Sequence, residues 1–182
     1  MSCDCSAVQY ALVAYIRSEL GEFVEDLRRE VHPPHSHLPT HMSVLPPRPL
    51  SGSEDEAVAM LLQESAKVAP FQLELGDVES FLPITPTVFI RVTHAGYRMR
   101  ELHDLFNRAP LEYLEPLPYM PHVTVAKLDD NACAAEALAI SKRRWAGFTG
   151  SHCVTIEKLT FVRGSAHTWQ DLADVPLSAT PR

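Results

Sequence analysis

"THMSV" at residues 40–44 and "PHVTV" at residues 121–125 are the two stretches on which the fold turns. Each reads histidine, spacer, hydroxyl residue, valine, and the second stands 81 positions after the first, as 41 and 122 show. Prolines at 46, 47 and 49 end the first phrase, so it reads as a short strand. A strand sends side chains i and i+2 to one face. His41 and Ser43 therefore point together, as do His122 and Thr124, while Met42, Val44, Val123 and Val125 point the other way.

Outward from these phrases the same order of elements occurs twice. "VQYALVAYI" at 8–16 is short and β-rich, and "SELGEFVEDLRREV" at 18–31 follows with Leu20, Phe23, Val24, Leu27 and Val31 near helical spacing. After the first histidine strand, Ser53 and Glu56 form a capping box that opens a helix. "FQLELGDVESF" returns to strand. In the second half "TPTVFIRVT" is a strand and "YRMRELHDLFNRA" a helix striped by Leu102, Leu105 and Phe106. The second histidine strand follows, then a helix from about Asn131 to Trp145 capped by Asp130 or Asn131, then "HCVTIEKLTFVR" as a strand with one shift in alternation. Several strands alternate polar and apolar, which favours antiparallel sheets. The expected fold is α+β, one bilobal domain over 1–182 with repeats at roughly 8–81 and 86–163. Each lobe is an antiparallel sheet with outer helices, and the two sheets face a central cleft.

Composition narrows the function. At 182 residues and 46% hydrophobic the chain can bury one substantial core. No apolar run approaches the roughly 20 residues of a spanning helix, and "MSCDCS" lacks the form of a signal peptide, so a cytoplasmic protein is expected. Cys3, Cys5, Cys133 and Cys153 are too few and scattered for a disulfide framework. A net charge of −7 argues against long nucleic acid, whose binding relies on arrays of Lys and Arg. "SKRRW" around Lys142, Arg143 and Arg144 reads as cations at a helix C-terminus.

Two imidazoles of pKa about 6.5, each beside a hydroxyl and related by a pseudo-two-fold axis, can flank one ligand. One gives a proton while the other takes one. That suits in-line displacement at phosphorus, with the hydroxyls donating to the remaining phosphoryl oxygens. The scheme requires no metal and no cofactor.

"HMSV" and "HVTV" resemble the paired H-x-[ST]-x motifs of the 2H phosphoesterase superfamily, which includes the bacterial 2′-5′ RNA ligases and 2′,3′-cyclic nucleotide phosphodiesterases. The resemblance spans nearly the whole chain: the opening strand and helix, "LPP" after the first motif, "FLP" and "VFIRV" in the middle, the aromatic-x-Pro before "HVTVAK", and the late "TWQDL". Ser43 stands where Thr is commoner in the family, which keeps the hydroxyl. The resemblance implies that His41 protonates the departing ribose oxygen, His122 activates water, and Ser43 and Thr124 hold the phosphate, ligation exchanging the histidine roles. The implied partner is a small nucleotide or an RNA end carrying a phosphate ester. A non-catalytic nucleotide- or RNA-end-binding module on the same fold is the alternative.

Other residues weigh against blander readings. Tyr119, just before the second motif, is the aromatic expected in the cleft, with Phe81, Phe89 and Phe161 more in keeping with core. Arg48, in the proline segment, and Lys127 are candidates to steer phosphate; Lys127, five residues beyond His122, reaches the histidine face only through a bulge. His32, His35, His37 and His41 invite a zinc reading, yet no nearby Cys, Asp or Glu completes a site, so loop histidines are expected there. His94, His103, His152 and His167 have no partner pattern.

Overall fold

The computed structural model of the protein describes residues 8–35, 37–165 and 168–180. Twelve principal elements follow the order β1 (Gln9–Tyr15), α1 (Glu19–Val31), β2 (His41–Arg48), α2 (Glu54–Ser65), β3 (Phe71–Ser80), β4 (Thr87–His94), α3 (Gly96–Phe106), β5 (His122–Lys127), α4 (Asn131–Ala146), β6 (Cys153–Ile156), β7 (Lys158–Ser165) and β8 (Thr168–Pro176). The helix starts follow local chemistry. The Ser53 hydroxyl accepts from the Glu56 N–H while the Glu56 carboxylate accepts from the Ser53 N–H, and the Asp130 carboxylate accepts from the Cys133 N–H.

All eight strands lie in one antiparallel sheet, ordered β6-β3-β4-β5-β2-β1-β7-β8. The expected α+β fold with outer helices is present, and its two half-sheets of four strands are joined edge to edge where β2 pairs with β5 through Met42 and Val123. The halves of the sheet are not the halves of the sequence. β3, from the first half, pairs with β4 of the second, and β7, from the second, pairs with β1 of the first. Helices cross in the same way: α1 packs on β5 beside α4, and α3 on β2 beside α2.

One face of the sheet meets the helices in a core that includes Leu12, Ala14, Met42, Val44, Val123, Val125, Leu102 and Phe106. The opposite face of β1 carries Ala11 and Val13, which pack with Val162 against Tyr15 and Trp169. Three strand readings differ from expectation. β2 does not stop at the prolines but runs through Pro46 and Pro47 to Arg48. "HCVTIEKLTFVR" is two strands, β6 and β7, interrupted at Glu157, because β6 pairs with β3 while β7 pairs with β1 and β8. β8 itself, with Asp171, Asp174 and Pro176, is an edge strand whose charges and proline mask the strand signal.

Candidate active site

The two histidine phrases are neighbours in the sheet. Pairing of Met42 with Val123 in antiparallel register aligns His41 with Thr124 and Ser43 with His122. Each imidazole thus stands across from the hydroxyl of the other phrase, and all four side chains share the face opposite the helices. The four line one cavity of about 270 Å³. The facing walls expected from sequence are instead adjacent strands of one continuous sheet.

Both rings are held the same way. His41 Nδ1 is 2.7 Å from the Pro39 carbonyl, and His122 Nδ1 is 2.7 Å from the Met120 carbonyl. A carbonyl only accepts, so Nδ1 carries the proton in each ring and Nε2 is the nitrogen left for a ligand. Aromatic rings fix the planes: Trp169 lies 4.7 Å from His41, and Phe81 and Phe89 approach His122 edge-on at 5.3 and 5.2 Å. Burial is the main cause that pushes the His41 imidazole down to about 4, with the charges of Arg28 and Lys127 and the neighbouring His122 adding to it. Burial, then Lys127, lowers His122 as well.

Each motif strand also bulges at the same place. Leu12 pairs with Leu45 but Val13 with Ser43, so Val44 is the extra residue; Val88 pairs with Ala126 but Phe89 with Thr124, so Val125 is its counterpart. The second bulge brings Lys127 to the cavity, in line with the condition set by its sequence position. At the bulges the carbonyls of Ser43 and Thr124 accept from side chains. Tyr119 Oη donates to the Ser43 carbonyl at 2.8 Å, and Arg28 Nε and Nη2 donate to the Thr124 carbonyl at 3.1 and 2.6 Å. Arg28 Nη1 also binds the Leu38 carbonyl at 2.9 Å, and burial lowers this guanidinium to about 10.

Two expected substrate contacts do not line the cavity. Arg48 is fully buried in β2, outside the cavity lining, where it donates to Pro46 O, Asn107 Oδ1, Leu111 O and Glu115. A buried guanidinium must satisfy its donors, and here loop carbonyls and a carboxylate do so. Tyr119 is likewise outside the lining: its phenol is committed to Ser43, its ring stacks 4.3 Å from His103, and burial raises its pKa. Phe89 and Phe161 are core, as expected.

Residues that sequence reading did not assign to the site are Arg28, His32 and Trp169. Arg28 had a signal. It lies among Leu20, Val24, Leu27 and Val31 on the buried face of α1, where a cation needs a polar partner. Among the described lining residues there is no Asp or Glu, so Arg28 and Lys127 give the cavity a positive bias in a chain of net charge −7. Of the other loop histidines, exposed His37 contacts the Pro34 carbonyl at 3.0 Å; the side chain of His35, with His167, Cys3 and Cys5, lies outside the described residues. Among the described residues no three His, Cys, Asp or Glu side chains form a group that could hold a metal ion, and no helix is long and apolar enough to cross a membrane. Cys133 and Cys153 are exposed free thiols.

A model of the 2'-5' RNA ligase superfamily matches residues 16–168, which contain both motifs and seven of the strands in whole or part. The chain belongs to that superfamily. A Bacillus pumilus protein named "Putative phosphoesterase" is 28% identical over 126 residues, covering 68% of this chain and 73% of its own. A similarly named protein of Halalkalibacterium halodurans is 25% identical over 121 residues, covering 66% and 70%. Among solved structures, LigT of E. coli with 3'-AMP superposes with a TM-score of 0.64 at 14% identity, covering 94% of this chain and 98% of that one. At that identity the likeness speaks for the fold. LigT has also been crystallised with NADP+, ATP and phosphate. Family and fold together indicate a 2H phosphoesterase.

Proposed function

We propose that this protein opens 2′,3′-cyclic phosphates, or cleaves 2′-5′ phosphodiester linkages, on RNA ends or small nucleotides by two-histidine acid and base catalysis. The observation that carries the reading is the quartet His41, Ser43, His122 and Thr124 on one face of adjacent strands. Both rings line a cavity shared with Arg28 and Lys127, and a carbonyl already takes Nδ1 of each. In hydrolysis of a cyclic phosphate, His122 takes a proton from water as the water oxygen bonds to phosphorus. The bond from phosphorus to the ribose oxygen breaks, and His41 gives that oxygen its proton. Ser43 and Thr124 donate to the non-bridging oxygens, and Arg28 and Lys127 offset their charge. Run backwards, the same steps join ends and the histidines exchange roles. The scheme uses no metal, and the nucleotides and phosphate seen on LigT suggest the ligand class.

The test is incubation with 2′,3′-cyclic nucleotides in EDTA, repeated with His41→Ala and His122→Ala. Turnover that either change abolishes supports the enzyme. Binding without turnover in the unaltered protein supports a non-catalytic nucleotide-binding module instead.

A further inference from the structure

Beside the candidate active-site cavity, across Trp169, lies a second one of about 510 Å³. Trp169 and Leu38 line both, so the two are rooms on either side of one wall. Tyr15, Arg17 and Asp171 furnish the second room. Tyr15 is the register partner of His41 on the neighbouring strand, and its ring meets the imidazole edge-on at 6.5 Å. Arg17 lies over the Tyr15 ring at 5.1 Å; it is exposed and makes no ion pair among the described residues. Asp171 Oδ1 accepts from the Tyr15 phenol at 2.7 Å, which holds that ring.

We infer that this annex is a second nucleotide subsite, which takes the phosphodiester and nucleoside preceding the reacting end, so that the preferred substrates are RNA ends at least two nucleotides long. The inference rests on the phosphoesterase reading. In that reading His41 protonates the departing ribose oxygen, so the reacting nucleoside extends on the His41 side, past Trp169. The chain that continues from it enters the annex. Trp169 there offers a stacking surface for a base, Arg17, over the Tyr15 ring, meets the singly charged diester, and the remaining lone pairs of Asp171 accept from a ribose hydroxyl or base amine. A carboxylate at that position disfavours a bare doubly charged phosphate and tolerates a diester. A net charge of −7 keeps recognition local to the end of the strand.

The experiment compares kcat/KM for adenosine 2′,3′-cyclic phosphate with that for the dinucleotide ApA bearing the same cyclic end, using wild-type protein, Arg17→Ala and Arg17→Lys. Expected is a wild-type preference for the dinucleotide of about tenfold, the size of one stacked base and one phosphate contact. Arg17→Ala brings the ratio close to one, with the loss falling on the dinucleotide, and Arg17→Lys retains part of it. Equal kcat/KM values in the wild type, or a preference that Arg17→Ala leaves intact, overturns the annex. If neither compound is turned over, the phosphoesterase reading fails, and calorimetric titration with ApA carrying a terminal 2′-phosphate then judges the annex separately. Binding weakened about tenfold by Arg17→Ala upholds it, and equal affinities overturn it.

Discussion

At the scale of single residues, the carbonyls of Pro39 and Met120 do more than hold two rings in place. By accepting from Nδ1 they fix one tautomer; burial, with Arg28, Lys127 and His122 adding to it, pushes the His41 imidazole down to about 4, and burial, then Lys127, lowers His122 too. Two-histidine catalysis as proposed needs one ring protonated and the other neutral, and with both rings lowered that form is most abundant below pH 6.5. The kcat/KM profile is therefore expected to peak on the acid side of 6.5 and to fall as pH rises towards 8. A peak above pH 7 contradicts the assignment. Stability follows the same linkage. The unfolded chain binds a proton at position 41 near pH 6.5 and the folded chain near 4, so stability is lost as pH falls through that window. Urea unfolding at pH 7 and pH 5 should show His41→Gln losing less than wild type, by on the order of 1 kcal/mol; equal losses refute the shift.

At the scale of elements, β2 and β5 are paired bulged strands whose displaced carbonyls are each caught by a side chain from the opposite half of the sequence. Tyr119→Phe leaves the Ser43 carbonyl without that donor, and a cost of about 1–3 kcal/mol in chemical unfolding is expected. Arg28→Met removes three donated bonds and should cost more; an Arg28→Met protein as stable as wild type refutes the role. Much of this level was legible beforehand. The capping box at Ser53, the stripe of α1 and the doubled phrase with its i, i+2 geometry all depend on near neighbours in sequence. Arg48 and Tyr119 cannot be placed from local sequence, because their partners, Glu115 and the Ser43 carbonyl, are 67 and 76 residues away. Nothing local separates an arginine that reaches a ligand from one that ties down a loop. β8 was missed for a related reason: its pairing with β7 overrides an interior rich in acids.

At the scale of the whole molecule, the two sequence halves exchange both a helix and a strand. α1 covers β5 and α3 covers β2, while β3 and β7 complete the half-sheets begun by the other half. The consequence is that neither half owns a closed core. Fragments cut between Leu82 and Thr85 should each lack cooperative thermal unfolding by circular dichroism, and a fragment that melts cooperatively alone contradicts the crossed arrangement. The exchange also fixes the site, since Met42 and Val123, both fully buried, pin the two histidine strands at the seam. Pseudo-symmetry was readable from the repeat, but the crossing was not, because strand partners are chosen by packing between distant segments.

In the proposed reaction His41 and His122 act as one unit on one phosphoryl group, which the rate of 2′,3′-cyclic AMP hydrolysis by His41→Ala, His122→Ala and the double variant tests most directly. Each single change is expected to lower kcat by about 10²–10⁴-fold, and the double variant to fall no more than about tenfold below the worse single. Losses that multiply in the double variant, or either single variant keeping more than roughly a tenth of the wild-type rate, would contradict it.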